Sequence, residues 1–113
     1  LAIESDAGVF APKGFGFTGR NKAKPIVSDI HQLLEPTGAQ SISSGGRVVD
    51  IAQLNDLGVP VMSLKVDESR YLWFHHSEAD NFGKVEFDDF NNCIAAMEMM
   101  AFIVADMPEK LPR

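Results

Sequence analysis

The sequence predicts an α/β fold, a largely parallel sheet with flanking helices. Two observations carry that expectation. Short apolar runs rich in β-branched residues alternate along the chain with longer segments whose apolar residues recur at helical spacing. The runs also end on polar residues and glycines, as strands leading into loops do. With 113 residues the chain has room for one domain and a modest core.

Leu1 to about Phe10 reads as a strand and its exit: Leu1, Ala2 and Ile3 are apolar, Glu4, Ser5 and Asp6 follow, and Gly8 marks the turn. In open α/β sheets ligands bind beyond the carboxyl ends of strands, so Asp6 stands where a functional carboxylate would; an Asx turn explains it equally well. Ala11 to Asn21, with Pro12, Gly14, Gly16 and Gly19, reads as a loop. Gly14-x-Gly16-x-x-Gly19 spells the dinucleotide fingerprint. Bulky Phe15 and Phe17 stand where backbone should approach a pyrophosphate, and Pro25 delays the following helix, so the match is not read as a nucleotide site.

Lys22 to Glu35 is expected to be a helix, with Pro25 in its first turn and Ile26, Val27, Ile30, Leu33 and Leu34 on one stripe. Pro36 and Gly38 end it, and His31 falls beside the stripe as an ordinary boundary histidine. Gln40 to Ser43 reads as a short strand. Asp50 is expected to cap a helix through Leu57 that Gly58 terminates. Val59 to Val66 reads as a buried strand, and strands alternating with helices predict right-handed crossovers. Asp67 to Asn81 reads as a long loop.

Glu86 to Met107 is the last helix. Phe87, Phe90, Ile94, Met97, Ala101 and Val104 recur along one stripe that further apolar residues broaden, so the helix is expected to be nearly surrounded by protein. Cys93, the single cysteine, falls within this pattern. It reads as a buried thiol that forms no internal disulfide and leaves the redox compartment open.

Bulk composition narrows the function classes. The chain is 45% hydrophobic and 23% charged, with a formal net charge of −6. That charge argues against nucleic acid, whose phosphates require clustered Lys and Arg, and it gives no basic face for an anionic membrane. No apolar run approaches the roughly 20 residues of a membrane-spanning helix. The chain opens on apolar Leu1-Ala2-Ile3 without an initiator Met, and is therefore expected to be a piece of a longer polypeptide, incomplete on its upstream side.

The stretch Trp73-Phe74-His75-His76-Ser77-Glu78-Ala79-Asp80 concentrates the chemistry. Neutral imidazole is the commonest metal ligand among side chains, and a carboxylate nearby fixes its tautomer. On spacing alone the stretch is equally a pair of loop histidines beside a buried aromatic strand end, because adjacent histidines do not easily face one metal and no third ligand is close in sequence.

His76-Ser77-x-x-Asp80-Asn81 resembles the last metal-ligand motif of the di-zinc aminopeptidases and glutamate carboxypeptidases. The carboxypeptidase Q branch is the nearer match. Glu4-Ser5-Asp6-Ala7-Gly8 followed by Pro12-x-Gly14-Phe15, Gly58-Val59-Pro60 behind Asp50-Ile51, and the ending Ala105 to Arg113 extend it along the chain in order. The resemblance implies residues 1–113 are the C-terminal portion of the catalytic domain of a zinc exopeptidase, an α/β/α sandwich that hydrolyses peptides with a metal-activated water. Carried over by position, Asp6 and His76 are metal ligands serving different zinc ions of a pair. His75 is a neighbour that lines the cleft. Asp80 either supports a ligand or caps the next segment. The general-base Glu and the other ligands have no counterpart here, so the piece alone is expected to be inactive, to bind zinc weakly if at all, and to self-associate through uncovered apolar surface and sheet edge. A secreted or periplasmic location follows from the resemblance alone. A non-catalytic α/β module that binds a protein partner is the alternative.

Overall fold

The computed structural model describes all 113 residues. Its strands are β1 (Ala2–Glu4), β2 (Pro12–Thr18), β3 (Ser41–Ser44) and β4 (Val61–Val66). Its helices are α1 (Ala23–Ile30), α2 (Ala52–Asp56), the single turn α3 (Tyr71–Phe74) and α4 (Phe87–Asp106). The α/β class expected from the sequence is what the molecule shows. The sheet is mixed, in the order β1-β4-β2-β3. The outer pairings, β1 with β4 and β2 with β3, are parallel, and the central pairing of β2 with β4 is antiparallel.

The strand that turns the sheet mixed is the one its composition hides. β2 occupies most of the segment expected to be a loop. Phe15 and Phe17 alternate with Gly14 and Gly16, and this period-2 pattern points both rings into the core, where each is buried. The glycines serve the opposite face. A Cβ on Gly14 would stand 1.9 Å from the Ser41 carbonyl oxygen, and one on Gly16 would stand 2.7 Å from that of Gly45. The spacing that spells a phosphate loop is here the period of a strand packed tightly against its neighbour.

One cluster of apolar side chains holds the layers together. Phe15, Phe17, Met62, Leu64 and Val66 supply it from the sheet. Val27, Ile30 and Leu34 come from α1 and the 3-10 turns of His31–Thr37 that continue it. Leu33, expected on the same stripe, is exposed, because the tightening into 3-10 geometry rotates it away from the sheet. His31 is half-buried and its Nδ1 pairs with the Ser28 carbonyl, a boundary histidine as expected. Gly38 closes the segment in the left-handed region at φ 78°, donating to the Glu35 carbonyl.

Two expectations for helices are corrected. Asp50 does not cap α2: Ile51 is the N-cap residue and no side chain caps the helix. The segment is closed by a two-pronged Arg47–Asp56 contact at 3.0 and 3.1 Å and by Asn55 donating to the Val59 carbonyl. Gly58 ends it at φ 83°, as expected. The second correction concerns α4, which is not surrounded. Cys93, Ala96 and Met100 are its buried line, while Phe90 and Ile94 of the expected stripe remain 39% and 46% exposed and Phe87 is more exposed still. Burial pushes the Cys93 thiol pKa up, with the Asp89 charge adding to the shift. No helix is long and apolar enough to cross a membrane.

Candidate functional site

Because β1 and β4 run parallel, their carboxyl ends lie on one edge of the sheet. The Asp6 loop leaves from the first, and the histidine segment follows the second. The two connections are packed together by Phe10. Its ring stacks on Phe74 with centroids 6.4 Å apart, the Arg70 guanidinium lies over it at 5.5 Å, and its carbonyl accepts from the Cys93 thiol at 3.2 Å.

The histidine segment is built from short local hydrogen bonds. Asp67 accepts from the Ser69 backbone N–H at 3.0 Å and starts a 3-10 turn that runs into α3. Ser69 holds the Asp67 carboxyl below the usual carboxylate value, first through its backbone N–H and then through its hydroxyl, with Lys13 and Arg70 adding smaller contributions. After α3, the Ser77 N–H and hydroxyl both donate to the Phe74 carbonyl, at 2.9 and 2.7 Å, and the Ser77 oxygen accepts from the Ala79 N–H. This doubly held turn carries His75 and His76 through its bend.

His76 has φ 58°, the one non-glycine residue of the chain with positive φ. A left-handed residue costs about 1 kcal/mol or more for a non-glycine side chain. It reverses the usual divergence of neighbouring side chains, so the two imidazoles stack with centroids 3.8 Å apart. Tyr71 extends the stack: its ring lies 4.4 Å from that of His75, and its hydroxyl is 3.3 Å from His75 Nε2. The sequence marks Tyr71 as one of three aromatics before the histidines but not as the partner of His75, although its place four residues earlier was a signal, since residues at that spacing meet on a helical turn.

His75 and Asp80 line one small cleft of about 70 Å³, together with Tyr71, Phe74, Phe10 and Lys84. Asp6 and His76 are not among its lining residues. Both are exposed, and neither side chain takes part in a hydrogen bond or ion pair. Asp80 does not cap the segment that follows; Asn81 does, accepting from the Gly83 N–H at 3.1 Å. The aromatic approach to the histidines is only half buried: Tyr71 and Phe74 pack on the core while Trp73 is 68% exposed. No three His, Cys, Asp or Glu side chains converge closely enough to hold a metal ion. The chain's own donors are the right chemistry for zinc, a carboxylate and an imidazole, but by themselves they do not make up a centre.

No protein-family model matches the chain. It is similar along its entire length to carboxypeptidase Q of Xenopus laevis, at 40% identity over 113 residues. The same span is 39% identical in carboxypeptidase Q of Homo sapiens and 38% in that of Mus musculus. The chain spans 24% of the length of each of these relatives. Its fold superposes on the crystal structure of a Peptidase M28 precursor from Shewanella amazonensis with a TM-score of 0.87 and 26% identity, over 99% of this chain and 26% of that one.

Proposed function

We propose that this chain, similar over its full length to a quarter of carboxypeptidase Q, is one portion of a zinc-dependent exopeptidase catalytic domain. The observation that carries the reading is the unbroken similarity of all 113 residues to peptidases, which includes the Asp6 and His76 regions. In this reading Asp6 and His76 each donate to one of two zinc ions, and polypeptide outside these residues supplies the remaining ligands and the general-base Glu. Zinc, when bound, supplies Lewis acidity and lowers the pKa of a coordinated water. Peptides are the substrate class.

The chain's own residues provide orientation. The Ser77-held turn fixes the backbone of His76. The ring stack from Tyr71 through His75 restricts its imidazole, and Phe10 keeps the Asp6 connection against the same turn. Both donor side chains stand exposed and uncommitted, which supports a role toward a group outside this chain.

The test uses a chimera in which these 113 residues replace the matching span of Xenopus laevis carboxypeptidase Q. His76→Ala and Asp6→Ala are each expected to lower dipeptide hydrolysis by about a hundredfold or more and to reduce bound zinc, with the far-UV circular dichroism unchanged. Near-normal turnover and zinc content in either variant would reject that residue as a ligand. A chimera without metal dependence would favour the partner-binding module instead.

A further inference from the structure

We infer that Tyr71 is a positioning residue: acting through His75, its hydroxyl fixes the direction of the His76 imidazole and thereby the affinity of that side chain for zinc. The inference deepens the reading of His76 as a metal ligand and rests on it.

A metal-bound histidine is ordinarily oriented through its second ring nitrogen, which donates to a carboxylate, a carbonyl or water. His76 departs from that arrangement. Its side chain is exposed and makes no hydrogen bond; what orders the ring is its stack on His75, with centroids 3.8 Å apart and planes 26° from parallel. The doubly held Ser77 turn and the φ of 58° settle the path of the His76 backbone, but both side-chain torsions remain to be set. The direction of the ring is therefore inherited from His75.

His75 is itself exposed, and two contacts with Tyr71 orient it. The two rings stack with centroids 4.4 Å apart and planes 24° from parallel, which sets the plane of the imidazole. A stack alone tolerates a half-turn of the ring within that plane. The Tyr71 hydroxyl, 3.3 Å from His75 Nε2, removes that freedom, because a half-turn would put a ring carbon where the nitrogen stands. Tyr71 can serve as the anchor because it is half-buried and packs on the core cluster, to which neither histidine belongs. Order thus passes outward from the core through Tyr71 and His75 to His76. An imidazole held in one orientation beforehand gives up less freedom when a metal binds.

The chimera with the Xenopus laevis relative provides the test, with zinc affinity read by competition against a chromophoric chelator. Tyr71→Phe keeps the ring and its packing and removes the hydroxyl. It is expected to weaken zinc binding about tenfold and to lower kcat, with KM and the thermal midpoint unchanged. In a His75→Ala background the same substitution should change zinc affinity by less than about twofold, because the connection is already cut. In the metal-free chimera the His76 ring protons are expected upfield of those of an unstacked histidine, and Tyr71→Phe should move them toward that position. Unchanged zinc affinity in Tyr71→Phe overturns the inference. With zinc affinity intact, a raised KM would make Tyr71 a substrate contact of the cleft it lines, and a lowered thermal midpoint would leave it a packing role. An undiminished effect in the His75→Ala background also overturns the inference, since Tyr71 would then not act through His75. His76→Ala separates the two readings. Full zinc content in that variant rejects His76 as a ligand and this inference with it, whereas lost zinc beside an unaffected Tyr71→Phe rejects this inference alone.

Discussion

Phe10 sits in the connection between β1 and β2, and its ring meets the histidine turn through Phe74 while its carbonyl meets α4 through Cys93. Phe10→Ala should therefore cost about 3 kcal/mol in denaturant unfolding, and should loosen the histidine turn as well as the core. Asp67 at the start of that turn gives a pH signature. Its folded pKa lies below the unfolded value, so the unfolded state binds more protons across the interval between the two. The stabilisation is complete above the unfolded value, about pH 4, and is lost as pH falls through the folded one. Asp67→Asn should flatten the acid limb of the stability curve, and an unchanged limb would rule out the Ser69 hydrogen bonds as its cause. The sequence singled out Asp6, His75, His76 and Asp80, and the structure brings two of them, His75 and Asp80, to one cleft. The sequence did not contain the positive φ of His76, because adjacent histidines ordinarily diverge and nothing in their identity forecasts a left-handed bend. Of the two roles left open for Asp80, the cap belongs instead to its neighbour Asn81, which accepts from the Gly83 N–H.

Among the elements, α1, α4 and β4 were legible because their apolar residues recur regularly, and β3 stands within a residue of its expected place. β2 was not, because Pro12 and three glycines read as loop punctuation, while the alternation of Phe15 and Phe17 is only two residues deep. Its glycines answer to close approach between strands, a property of the assembled sheet. Gly14→Ala should accordingly cost at least about 3 kcal/mol, since its new methyl meets the Ser41 backbone and not a flexible side chain. Thermal unfolding measures this, and a loss below about 1 kcal/mol would show that β3 shifts to accommodate the methyl. The helix α4 was misjudged in the other direction: its apolar residues do form a wide stripe, but this sheet is wide enough to cover only one line of it.

At the scale of the molecule, the class and the flanking helices followed from the alternation of elements, whereas the mixed order followed from the one strand that was misread. The order β1-β4-β2-β3 also has a consequence in time. β1 is held by β4 alone, and the pairing of Ala2 with Val61 closes a loop of nearly sixty residues. Closing so long a loop is entropically unfavourable until its far end is already ordered, whereas the β2-β3 pairing spans fewer than thirty residues. During refolding β1 should therefore be the last strand to acquire amide protection in a pulse-labelling experiment, after β2, β3 and β4; early protection of Ile3 would reverse that order. The carboxylate of Asp6 leaves from this late strand, so the edge that carries Asp6 and the histidine turn is assembled in the final step of folding, when the rest of the sheet already stands.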